Sequence, residues 1–163
     1  MEFAIIFLIL AVILAYVYAF VSGFTDAANA IATSVGSRSL SPTTAVIMAG
    51  VLEVAGAMTG TAVALTIGKG IVSLQLITLS TVVAAILGTM VWSLLTYYFG
   101  IPVSETHGLI GGIIGAGIAT AGLNVIIWSG VNKVLIAIVL SPILGFLGGA
   151  ILMKLIYRLY QNA

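Results

Sequence analysis

Residues 22–34 read Ser22-Gly-Phe-Thr-Asp-Ala-Ala-Asn-Ala-Ile-Ala-Thr-Ser34, and this stretch decides the class of fold. It sets a carboxylate and an amide into apolar sequence, directly after residues 3–21, which carry no charge. An ionisable side chain at membrane depth is expensive, so by default it marks a functional site. At helical spacing Ser22, Thr25, Asp26, Asn29 and Thr33 fall on one face, in steps of three and four. Five oxygen-bearing side chains on one stripe of an apolar helix make a lining for an ion or a polar substrate. Hydroxyls and amides alone also serve as glue between membrane helices. Asp26 tips the stripe toward a site.

Composition agrees with that reading. The 163 residues are 62% hydrophobic and 6% charged, with a mean hydropathy of +1.33. Soluble domains carry about 25% charged residues, so this is an integral membrane protein, expected as a multi-pass protein of the cell (inner or plasma) membrane. A formal charge of +1 gives no sign of a nucleic-acid partner, and the absence of cysteine excludes disulfides and thiolate metal sites. Residues 3–21 are too long for a signal-peptide core and follow Glu2 rather than a basic segment, so they are expected as a retained membrane helix. About 20 residues cross the hydrocarbon core. The chain therefore has room for four to six spans, expected as one membrane domain, 1–163, with no soluble catalytic domain.

Outward from the polar stripe, the first helix is expected over residues 3–34, interrupted near Gly23. Ser41 suits an N-cap and Pro42 the first turn of a second helix, expected to run to about Ile67. That helix carries Glu53 at mid-depth and Gly56 and Gly60 four apart, a close-packing pair. A third apolar stretch, 74–99, ends in Trp92, Tyr97 and Tyr98, suited to an interfacial aromatic belt. The last stretch, 134–153, is expected to kink at Pro142, with Lys154 and Arg158 reaching an interface beyond it.

A second motif, Pro102-Val-Ser-Glu-Thr-His107, lies in the segment 100–121. Proline ends the preceding helix and Ser104 caps the next. A helix that starts inside a membrane presents free N–H groups and a positive dipole end, an anion site of the kind that discontinuous helices build in transporters. An ordinary interfacial turn would use the same residues. The combination of Asp26, Glu53, Glu105 and His107, four ionisable groups in apolar segments, favours the functional reading. Gly108, Gly111, Gly112, Gly115 and Ala119 follow as a smooth stripe for close packing.

Gly23-Phe-Thr-Asp-Ala-Ala-Asn-Ala30 resembles the Gly-Ala-Asn-Asp-Val-Ala-Asn-Ala signature of inorganic phosphate transporters, the PiT family. Pro102-Val-Ser-Glu-Thr-His-Gly-Leu-Ile-Gly-Gly112 resembles that family's Pro-Val-Ser-Thr-Thr-His hairpin motif and its glycine-rich tail. The resemblance implies a transporter of inorganic phosphate coupled to sodium ions or protons, with no other cofactor. It implies an all-α membrane bundle with a broken first helix and a re-entrant hairpin, forming one half of an inverted-repeat transporter. Asp26 and Asn29 match the signature and become candidate sodium ligands, with Glu53 and Glu105 as further candidates for sodium or proton coupling. Ser104, Thr106 and His107 match the hairpin motif and become candidates for binding phosphate. Thr25 replaces the signature's first Asn and joins the substrate set, and Glu105 stands where the hairpin has a hydroxyl residue. Each motif occurs once, where the family's transporters have two. An antiparallel homodimer or a second half-transporter chain is therefore the expected partner, alongside membrane lipid.

Other functions fit less well. Sulfate or another oxyanion suits the same scaffold. A passive cation channel lined by Asp26 and Glu53 has no need of an anion-type helix start. An intramembrane hydrolase built on Glu105 and His107 lacks a shared helix face for the two, and no His-Glu-x-x-His pair exists. No enzymatic activity is expected.

Overall fold

The computed structural model describes residues 2–161; Met1, Asn162 and Ala163, the ends of the domain expected over 1–163, lie outside the described residues. The described chain is helical throughout: α1 (Glu2–Gly36), α2 (Pro42–Thr59), α3 (Ala62–Gly70), α4 (Leu79–Tyr98), α5 (Glu105–Ala121), a 3-10 turn (Leu123–Val125) and α6 (Trp128–Tyr160). Four of these helices, α1, α2, α4 and α6, are long and apolar enough to cross a membrane. Large apolar side chains such as Phe20, Met58 and Phe146 stand more than 70% exposed, a surface suited to lipid or to further protein rather than to water. The protein is an all-α, multi-pass membrane protein.

The chain divides into two compact units, Met1–Ile127 and Trp128–Ala163. In the first, α4 and α5 form an antiparallel hairpin, and α1 packs on α4. Small and hydroxyl residues make the hairpin seam. At one end Thr81 Oγ1 and Thr120 Oγ1 are 2.9 Å apart. In the middle Thr89 Oγ1 reaches the carbonyls of Ala85 at 2.8 Å and Gly108 at 3.5 Å. At the other end Ser93 donates to the Glu105 carboxylate. A Cβ on Gly112 would stand 2.7 Å from the Ala85 carbonyl oxygen and closer still to Thr89 Oγ1, so glycine is what lets α5 lie against α4.

The turn between these helices is built to reverse the chain sharply. Gly100 takes φ +65°, the left-handed region that other residues adopt at a cost. Its N–H donates to Tyr97 O at 3.0 Å, and the Ile101 N–H donates to Thr96 O at 2.9 Å. This is the Schellman closure, and it satisfies carbonyls that the end of α4 would otherwise leave open. Residues 101–104 then leave the helix, with Pro102 unable to continue one, and Ser104, itself extended, starts α5 by accepting from His107 N at 3.4 Å. At the far end Ile71, Val72 and Val125 are buried, with Ser73 N on Val125 O at 2.8 Å and Ile127 N on Ile71 O at 2.9 Å.

Three sequence expectations need correction. The interruption expected near Gly23 is absent: α1 runs unbroken through it, because one interior glycine costs a helix only about 1 kcal/mol. The break lies in the second segment instead, where α2 ends at Thr59 and Gly60 adopts an extended conformation before α3. The last stretch extends beyond 134–153: α6 runs over Trp128–Tyr160, with Pro142 inside it. By contrast Ser41 caps α2, accepting from Thr44 N at 3.2 Å, with Pro42 in its first turn, as the sequence indicates.

Candidate functional site

The polar stripe of α1 and the start of α5 meet beside the hairpin turn. Thr25, Asp26 and Asn29 line a cavity of about 350 Å3 together with Ser93, Thr96 and Tyr97 of α4, residues 100–103 of the turn, and Glu105. Phe24 and Tyr97 brace α1 on α4 at this level, their ring centroids 4.9 Å apart, an arrangement that adds to plain apolar burial.

Within the cavity Asn29 Nδ2 approaches Asp26 Oδ1 at 3.4 Å. That contact orients the pair and leaves the second Asp26 oxygen and the Asn29 carbonyl oxygen able to accept or coordinate. Hard cations take carboxylate, carbonyl and hydroxyl oxygens, and this set supplies all three. Among the described residues no group of three or more His, Cys, Asp or Glu is placed to hold a metal ion.

Glu105 is 4% exposed and spans three helices. Thr25 Oγ1 of α1 donates to its Oε1 at 2.9 Å, Ser93 Oγ of α4 donates to its Oε2, and the Tyr18 hydroxyl of α1 donates to its main-chain carbonyl at 3.1 Å. A buried carboxylate without such donors would be costly; here the hydroxyls replace water. A carboxylate in the first turn of an anion-type helix start competes with the anion, but Glu105 is turned to the α1 side, away from the face that carries Ser104 and His107.

Those two residues line a second cavity, of about 520 Å3, with Gly88, Trp92, Val103, Gly108, Gly111 and Gly112. Val103 is common to both cavities. Ser104 Oγ accepts the His107 N–H as the cap, which leaves its own hydroxyl hydrogen free to donate to an anion. The first N–H groups of α5 have no partner within the helix. Ser104 and His107 are both exposed in this chain.

Not every sequence candidate joins these cavities. Thr106 is exposed on the first turn of α5 and lines neither of them. Glu53 is exposed on α2 and lines neither, and Thr33 lies beyond the cavity on α1. Sequence reasoning missed Tyr18, Ser93 and Thr96. The signal for Ser93 and Thr96 is present in the sequence: Thr81, Ala85, Thr89, Ser93 and Thr96 recur at steps of three and four, a small and hydroxyl face on a helix that otherwise reads as apolar.

Residues 22–163 match the family profile described as "Phosphate transporter family". A "Probable low-affinity inorganic phosphate transporter" of Mycobacterium bovis is 48% identical over 134 residues, covering 82% of this chain and 32% of the relative. The protein of the same description from Bacillus subtilis is 44% identical over 140 residues, 85% of this chain and 42% of the relative. Among solved structures, one titled "The sodium-dependent phosphate transporter" superposes with a TM-score of 0.86 at 36% identity, over 93% of this chain and 39% of that one. The chain thus spans between about a third and two fifths of the length of these proteins.

Proposed function

The chain belongs to the phosphate transporter family, and from that premise we propose that it forms one half of a carrier moving inorganic phosphate across the membrane with sodium as the coupling ion. The observation that carries this reading is the pair of cavities at the start of α5. One is lined by Asp26, Asn29, Thr25 and Glu105, the other by Ser104 and His107, and the two share Val103.

Asp26 and Asn29 serve as sodium ligands, with Glu105 on the same side. Ser104, His107 and the first N–H groups of α5 take the oxyanion, since phosphate favours hydroxyls and backbone N–H groups at a helix start. Thr106 and Glu53, exposed in this chain, are assigned to contacts that a second half supplies. That second half is a repeat in the opposite orientation, supplied by another copy of this chain, by a separate partner or by further sequence of the same polypeptide. Two features support it: each motif occurs once, and the matched solved structure is more than twice as long as the matched region. A dianion in a low-dielectric interior must be enclosed by donors and counter-cations, and one open cavity does not enclose it. Paired repeats of opposite orientation are how many secondary transporters complete such a site.

Uptake of labelled phosphate into liposomes containing the protein tests the substrate. Excess unlabelled phosphate is expected to abolish the signal and excess sulfate to leave most of it. Equal competition by sulfate would replace phosphate with a broader oxyanion specificity.

A further inference from the structure

Thr25 is the neighbour of Asp26, and Glu105 is the neighbour of Ser104. The 2.9 Å contact between Thr25 Oγ1 and Glu105 Oε1 therefore joins the helix carrying the cation-side carboxylate to the turn carrying the anion-side hydroxyl, with one residue of chain on either side. Ser93 holds the other carboxylate oxygen from α4. We propose that Glu105 couples the two cavities, and that through Thr25 and Ser93 it transmits occupancy of the Asp26–Asn29 cavity to the first turn of α5. The proposal rests on the transport reading given above.

Hydrogen counting makes this clasp a two-state element. Each hydroxyl has one hydrogen to donate. Thr25 Oγ1 also lies 3.0 Å from Val21 O and 3.1 Å from Ser22 O, and Ser93 Oγ lies 3.0 Å from Thr89 O. Each can therefore donate either to Glu105 or to a carbonyl of its own helix, and neither choice leaves a hydroxyl hydrogen unused. A sodium ion in the cavity lined by Asp26, Asn29 and Glu105 draws the carboxylate toward itself. The hydroxyls then fall back on their helix carbonyls, and the first turn of α5, with Ser104, is released from its fixed register. Tyr18 remains on the Glu105 carbonyl as a pivot. An empty cavity restores the clasp. A coupling of this kind needs a ligand that distinguishes two arrangements of one element, and the alternative acceptors supply both.

The test uses the absence of native cysteine. Val103→Cys places one thiol on the wall common to both cavities, and its labelling by a membrane-impermeant thiol reagent is followed in liposomes containing the protein. The phosphate concentration giving half-protection is measured at low and at saturating sodium. In the Val103→Cys background sodium is expected to lower that concentration by about fivefold or more, the lower end of typical coupling between sites. Thr25→Val and Ser93→Ala are each expected to flatten the sodium dependence, and Thr25→Ser to restore what Thr25→Val removes. Glu105→Gln, which keeps the shape and loses the charge, is expected to flatten it as well. Full sodium dependence in both Thr25→Val and Ser93→Ala would overturn the proposal while leaving the transport reading standing. A complete lack of phosphate protection in the background protein, at every sodium concentration, would overturn both.

Discussion

Gly112→Ala adds a single methyl group where α5 lies closest to α4. Its Cβ would sit 2.7 Å from the Ala85 carbonyl oxygen and nearer still to Thr89 Oγ1, whereas ordinary contacts begin at 3.4 Å. The Thr89 side chain cannot rotate away freely, because its hydroxyl is bonded to that same carbonyl at 2.8 Å. The helices must separate by roughly 0.7 Å, the difference between those contact distances, and that separation loosens the Thr81–Thr120 and Ser93–Glu105 rungs at either end. Overpacking of this kind costs about 1–3 kcal/mol. At about 2–4 °C per kcal/mol for a chain of this size, Tm in detergent should fall by on the order of 2–12 °C. Gly115→Ala is the matched control, since nothing in this chain lies within 4 Å of its Cβ position. Melting curves followed by tryptophan fluorescence compare the two. Equal Tm values for Gly112→Ala and Gly115→Ala would refute the close-packed seam.

Three further outcomes follow from the same geometry. Gly100→Ala forces a side chain into φ +65° and should cost about 1–2 kcal/mol, read as a lower Tm; an unchanged melt would contradict the closure described for α4. Asp26→Asn should abolish the sodium dependence of phosphate uptake while the protein still inserts and elutes normally, and retained sodium dependence would remove Asp26 from the cation set. Ser104→Ala should weaken apparent phosphate affinity by roughly 10- to 150-fold, the equivalent of about 1.5–3 kcal/mol for a lost hydrogen bond to a charged group. An unchanged affinity, measured by concentration-dependent uptake, would move the anion elsewhere.

The class of fold was legible because lipid imposes a blunt rule: long apolar stretches with almost no charge become helices. The caps were legible for a local reason. Ser41-Pro42 and Ser104 carry their own instructions, and both start helices as expected. The interruption was not. Gly23 and Gly60 look alike in sequence, and an added Cβ would meet nothing within 4 Å at either, yet only the second leaves its helix. Asp26 and Asn29 could be grouped by spacing alone, because they share one helix. The placement of Glu105 opposite Thr25 and Ser93 could not, since those residues are 80 and 12 positions away in the chain. Spacing rules reach about two turns of helix and no further. The segregation of Glu105 from Ser104 across the first turn of α5 needed coordinates, and it turns an apparent conflict of charge into two separate faces.

The most direct test is phosphate accumulation in liposomes containing the protein under an imposed inward sodium gradient. We predict labelled phosphate inside above its external concentration, collapse of that excess when a sodium ionophore is added, and none when potassium replaces sodium. Phosphate that merely equilibrates, indifferent to the sodium gradient, or a sodium flux that persists without phosphate, would contradict the account.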